Sequence, residues 1–197
     1  MTPAEPAAVP VFRAPHRERP QAAAAAEQAR EVYRRIAANI AQVMQGQAAS
    51  TRKMLAAVPA DQLNFKLGEK GRTAAELMWH MVQSDRWFAE GIANLKLDTF
   101  EDEGAPPNTA ADILATFDRE IPAVLAKVKA LTPEQLATPV NFMNFATLPV
   151  VIYIGWWTNH MIHHRGQLST YVRAMNGHVP TIYGGSADEP FGAAATA

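Results

Sequence analysis

The sequence predicts an all-α fold, a bundle of four long helices. Four segments repeat apolar residues at helical spacing, most have recognisable start or stop residues, and no stretch alternates convincingly as a strand. Helices of this kind bury their apolar stripes against one another. The length agrees: 197 residues, 48% of them apolar, suffice for one core and give no reason for two.

The first helix is expected over residues 21–58. Alanine, glutamate and arginine favour helix there, and Val32, Ile36, Ile40 and Val43 recur on one face. Gly46-Gln47 offers a point for a kink, and Pro59 closes the segment. Residues 1–20 read as a disordered tail, since Pro3, Pro6, Pro10 and Pro15 interrupt any regular pattern. The second helix opens on a capping box, Thr73 capping and Glu76 reaching back, and carries Leu77, His80, Met81, Trp87, Phe88 and Ile92. A polar loop from about 98 to 108 follows, with a solvated acidic run at Glu101, Asp102 and Glu103. Asn108 or Thr109 caps the third helix, whose apolar face runs from Ile113 through Phe117 and Ile121 to Val128. Pro122 should kink it. Thr132-Pro133-Glu134-Gln135 starts a short extra turn. The fourth helix is placed from Thr147, with Pro149 in its first turn, to Met175; Asn176-Gly177 and Pro180 stop it. The domain organisation expected is a single bundle over 21–190, with residues 191–197 frayed.

Charge and composition exclude several classes. Eighteen Lys+Arg against nineteen Asp+Glu give a net charge of −1, with no basic stripe to serve nucleic acid. No apolar run reaches the roughly twenty residues that span a bilayer, and the first twenty residues lack a signal-peptide core, so the expected location is cytoplasmic. The chain has no cysteine, which leaves nitrogen and oxygen as its metal ligands.

Chemistry concentrates in Asn159-His160-Met161-Ile162-His163-His164-Arg165-Gly166-Gln167, where three of the six histidines fall within five positions. With His160 at zero on a helical wheel, His164 falls near about +40° and Gln167 near about −20°. Tyr153 and Trp156 lie on the same stripe, His163 at its margin near about −60°, and Arg165 off it near about +140°. His160 and His164 therefore form an i, i+4 chelating pair. His80, with Gln83 beside it on the second helix, is the candidate third ligand. Three histidines on two helices leave coordination positions open, as in catalytic sites, where a coordinated water has a pKa near about 7. Taken alone, His80 reads better as a core histidine and Glu76 as a cap; Tyr153 and Trp156 read first as packing, and only second as pocket lining.

Three stretches resemble the DinB/YfiT-like family of metal-dependent enzymes. His160-xxx-His164-Arg165-Gly166-Gln167 is similar to its C-terminal signature, and Thr73 to His80 to its first ligand-bearing helix. Arg173 to Gly177, Val179-Pro180, Tyr183-Gly184 and Asp188-Glu189 resemble the segment after its last helix. The resemblance implies a four-helix bundle of up-down-down-up topology, commonly a homodimer, binding nickel or zinc through His80, His160 and His164. It also implies a small-molecule substrate, with hydrolase or thiol-dependent transferase chemistry and a low-molecular-weight thiol as a further cofactor. Arg165 is expected to be structural, and Gln167 to hydrogen-bond a ligand. His163 is an addition to the signature and is not made a ligand by it. The competing expectation is a non-catalytic metal-binding or stress-response bundle.

Overall fold

The computed structural model describes residues 18–100 and 104–190, apart from the side chains of 18–20, 37 and 41. The expectations for residues 1–17, for the acidic run 101–103 and for 191–197 lie outside them. The order is α1 (Glu18–Ala56), α2 (Ala74–Ala93), α3 (Ala110–Lys129), α4 (Pro133–Ala137), β1 (Pro139–Phe142), β2 (Ala146–Pro149) and α5 (Val150–Ala174). The protein is mostly helical, with one small two-stranded sheet. Helices α1 and α2 each pack against both α3 and α5. The core lies among them, built from residues such as Met44, Leu77, Met78, Ile113, Tyr153, Trp157 and Leu168.

Local signals account for most boundaries. Both halves of the capping box at α2 form: Thr73 Oγ1 accepts from Glu76 N at 3.1 Å, and Glu76 Oε2 accepts from Thr73 N at 2.6 Å. Thr109 caps α3 through Asp112 N, and Thr132 with Gln135 boxes α4. Helix α5 ends in a Schellman turn. Asn176 takes a positive φ of 57°, while Gly177 N donates to Val172 O and Asn176 N to Arg173 O. Helix α3 runs unbroken through Pro122, and α1 through Gly46.

Three expectations are corrected. The first concerns α1, which is already helical at residues 18–20, assigned above to the tail, and ends at Ala56, just short of the Val58-Pro59 pair. At 39 residues it is about 58 Å long against about 30 Å for α2. Its first half therefore outruns the core. Val32, Ile36 and Val43, expected inside, are 51%, 38% and 44% exposed, and the buried face is instead Met44, Ala48, Thr51, Met54 and Leu55.

Second, residues 139–149 form an antiparallel hairpin, pairing Val140 with Leu148 and Phe142 with Ala146. Two four-residue strands are too short to show an alternation. The turn places Met143 and Asn144 at positive φ without the Asn-Gly signal usual there. Third, Thr147 and Leu148 belong to β2, so α5 starts at Val150. The residue before a proline avoids helical backbone, which keeps Leu148 extended and makes Pro149 the boundary.

Candidate metal centre

Three histidines meet where α2 and α5 pack together. His160 and His164 lie one turn apart on α5 and meet edge to face, ring centroids 4.3 Å apart. His80 reaches them from α2, at 5.3 Å from His160 and 4.6 Å from His164. One nitrogen from each lies within 4.8 Å of the others, and among the described residues this is a group that could hold a metal ion. His80 Nε2 and His164 Nε2 are 3.2 Å apart. Two imidazole nitrogens bound tetrahedrally to one ion at 2.0–2.1 Å would be separated by about 3.3 Å, so the donor set fits a divalent ion in type and the His80–His164 pair fits it in spacing.

Neighbouring groups fix which nitrogen faces inward. Gln167 Oε1 lies 3.0 Å from His164 Nδ1. With the amide oxygen accepting, Nδ1 carries the proton and the Nε2 lone pair is left toward the cluster. Ser84 Oγ sits 3.4 Å from His80 Nδ1 and can orient that ring in the same sense. The His160 ring packs 5.6 Å from Phe88. Burial, then the neighbouring His164 and His80, pushes the His160 pKa down to about 3. Burial lowers that of His164 too, against the opposing pull of Gln167. Both rings are neutral at pH 7 and keep the lone pairs a metal requires.

The other sequence candidates divide. Gln83 is buried and lines a cavity of about 530 Å³ together with His80 and Trp79. His163 is exposed and lies edge-on to His164, outside the three-nitrogen group. Trp156 packs against Phe142 and Tyr153 under the hairpin. Tyr153, offered above as pocket lining, is fully buried. Its hydroxyl donates toward Val140 O at 2.8 Å and Ala146 O at 3.1 Å, and accepts from Leu148 N at 3.0 Å. Its hydroxyl thus holds β1 and β2 to α5. A phenol on the histidine stripe but two turns earlier reaches the next element instead of the site.

Arg165 faces away from the histidines, as the wheel placed it. It is 2% exposed, yet its guanidinium donates to Gln47 O, Thr51 Oγ1 and Gln47 Oε1, the last at 2.6 Å, and Tyr183 lies over it at 4.9 Å. Nearby, Asp85 Oδ1 accepts from Trp157 Nε1 at 3.0 Å, while Oδ2 has no hydrogen-bond partner among the described residues. Burial drives the Asp85 pKa up to about 7 against the opposing influence of Trp157 and Arg165. Five positions on from His80, Asp85 falls about 140° away on the α2 wheel, and its bond to Trp157 places it off the histidine face. Ser84 falls beside His80 on the α2 wheel, and its contact with His80 Nδ1 agrees. Phe88, two turns from His80, was read only as part of the apolar face, and spacing could have flagged it as a neighbour of the site.

With the geometry in place, comparison decides the family. A model of the DinB family matches residues 26–190. The chain belongs to the DinB family. The uncharacterised protein YjoA of Bacillus subtilis strain 168 is 29% identical over 130 residues, 64% of this chain and 81% of YjoA. YrdA of the same organism, also uncharacterised, is 29% identical over 150 residues, 73% of this chain and 85% of its own. Among solved structures, a DinB-like protein from Bacillus cereus ATCC 10987 superposes with a TM-score of 0.64 at 25% identity, covering 73% of this chain and 95% of its own. The YjoA crystal structure superposes at 0.62 with 22% identity and shows the fold alone.

Proposed function

We propose that this DinB-family protein binds a divalent ion, nickel or zinc, through His80, His160 and His164, and uses it on a small molecule as a hydrolase or thiol-dependent transferase. The observation that carries the reading is the convergence of three imidazoles, from two helices, within 4.8 Å. An ion so held is a Lewis acid able to polarise a carbonyl or activate a nucleophile. The chain's own contribution is orientation. Gln167 fixes the tautomer of His164, Ser84 orients His80, and Phe88 shields one side of His160. The cavity beside His80 is of small-molecule size.

Around that site we take residues 21–190 as one domain, with the four long helices in up-down-down-up order. The packing of α1 and α2 against both α3 and α5 supports that order. A homodimer in the cytoplasm is the expected setting; among the described residues, no helix is long and apolar enough to cross a membrane.

Elemental analysis of protein purified without a histidine tag should find one nickel or zinc per chain. His80→Ala should lose it, and a variant that keeps a full equivalent would refute the three-histidine site. A screen of activated esters, amides and thiol acceptors, run with His164→Ala as control, tests the reaction. Metal retained without turnover of any of them would instead favour the second reading, a metal-binding bundle with a non-catalytic role.

A further inference from the structure

Helices α1 and α5 lie side by side and parallel: Thr158 Oγ1 donates to Met44 Sδ, and Arg165 donates to Gln47 and Thr51. Each helix leaves an apolar stripe in solvent. On α1 it is Val32, Ile36 and Val43, continued by Gly46. On α5 it is Ile152 and Ile162, 44% and 40% exposed, with Gly155 and Gly166. At about 100° per residue, each stripe lies about 90° from the positions that face the other helix. The two rotations have opposite signs, which for parallel helices turns both stripes to the same side of the pair. Tyr183, 64% exposed, stands over Arg165 and beside Val43 and Gly46, and joins the stripes into one face.

The centre of this face is uncharged. From Val150 to His164, α5 carries no Asp, Glu, Lys or Arg, and Arg165 is buried. On α1, Glu27, Arg30, Glu31 and Arg34 pair with one another. They lie about 120° or more from Val43, which leaves Arg35 and Lys53 at the outer edge. Depletion of charge at the centre with charge at the rim is the composition of an interface. The face also holds three glycines inside helices, where glycine costs stability relative to alanine. A Cβ at Gly46, Gly155 or Gly166 would meet nothing within 4 Å. Packing within the described chain therefore gives no reason for them, whereas the close approach of another backbone does.

We infer that the α1–α5 face is the surface on which a second copy of this chain docks. The inference rests on the homodimer reading above, gives it an interface, and is independent of the metal. Pairing with itself suits a face that offers no charge for an acidic, basic or lipid-headgroup partner to recognise. The dimensions agree. Over the 25 residues of α5, two parallel helices present roughly 700 Å² per copy, close to the about 800 Å² per partner of a standard stable interface.

The test is sedimentation equilibrium of the full chain across the micromolar range. Wild type should sediment at twice the chain mass of 21.5 kDa. Val43→Lys and Gly155→Lys, one on each helix, should each weaken the dimer at least about hundredfold, because two-fold symmetry buries every substitution twice. Phe145→Lys, in the hairpin turn and 80% exposed, should leave it intact. Gly155→Ala gives a readout of opposite sign. It should loosen the dimer, yet raise the thermal midpoint when added to monomeric Val43→Lys, where only helix propensity is left. If it tightens the dimer instead, the close approach is refuted. A dimer that survives both lysine substitutions refutes this face and leaves the dimer reading standing. A wild type that stays monomeric refutes both, and the face then belongs to residues 1–17 or to a different protein.

Discussion

Helix α5 contributes to two polar clusters, one buried and one half-buried, and they are built on opposite rules. Around Arg165, unlike groups meet: five-donor guanidinium against the Gln47 carbonyl, the Gln47 amide oxygen and Thr51, with the Asp85 carboxylate close by. Around His164, like groups meet: three imidazoles presenting ring nitrogens to one another. Complementary burial satisfies itself and locks helices together. Convergence of electron-pair donors lacks that internal logic and calls for a cation. Burial of polar side chains thus does not mark a functional site by itself; the sign and kind of the groups that face one another does.

The largest effect that would break this contrast is on metal binding. His164→Ala should weaken it by on the order of 1000-fold, as removal of one of about four ligands sharing 10–16 kcal/mol implies, while urea unfolding of the metal-free protein changes little. Inductively coupled plasma analysis after dialysis reads the first quantity. Arg165→Ala should do the reverse. It strands the Asp85 carboxylate and Gln47, costing about 3 kcal/mol in urea unfolding, yet leaves zinc stoichiometry intact.

The third prediction uses pH. Folded Asp85 keeps its proton to about pH 7, whereas in the unfolded chain its pKa is near the ordinary 3.8. Folding therefore takes up a proton between those values, and stability falls as pH rises through them. His160 acts oppositely in the metal-free protein. Its folded pKa of about 3 lies below the ordinary 6.5, so stability falls as pH drops through that window. At pH 8, Asp85→Asn should exceed wild type by about 2 kcal/mol. Removing the buried charge is worth about 4 kcal/mol, and an unpartnered amide group offsets about half of it. Below pH 4 the charge no longer contributes and the variant should fall below wild type by about 2 kcal/mol, and a difference independent of pH between 4 and 8 would show that the carboxylate is ionised in the folded state throughout. The smallest effect is Gln167→Ala, which should weaken zinc binding about tenfold by freeing the His164 tautomer, with unfolding unchanged.

Much of this was legible in the sequence, but unevenly. The α2 cap, the α3 face and the separation of Arg165 from the histidines follow from spacing, because a helix converts sequence offset into direction. The meeting of His80 with the α5 pair does not follow from spacing at all; ligand chemistry and family resemblance suggested it. The apolar stripe at Val32, Ile36 and Val43 misled because periodicity shows that a helix has a face and not what lies opposite. The hairpin was hidden by its brevity and by a Met143-Asn144 turn.

The reach of His80 to His164 joins positions 84 apart in the chain. An ion shared between them would be a cross-link, and restraining a loop of that length removes much of the freedom of the unfolded chain. In a protein without cysteine, it would serve as a reversible staple, fastened when metal is plentiful and undone by a chelator. The availability of the ion would then set how long the folded chain lasts, whatever else the ion does.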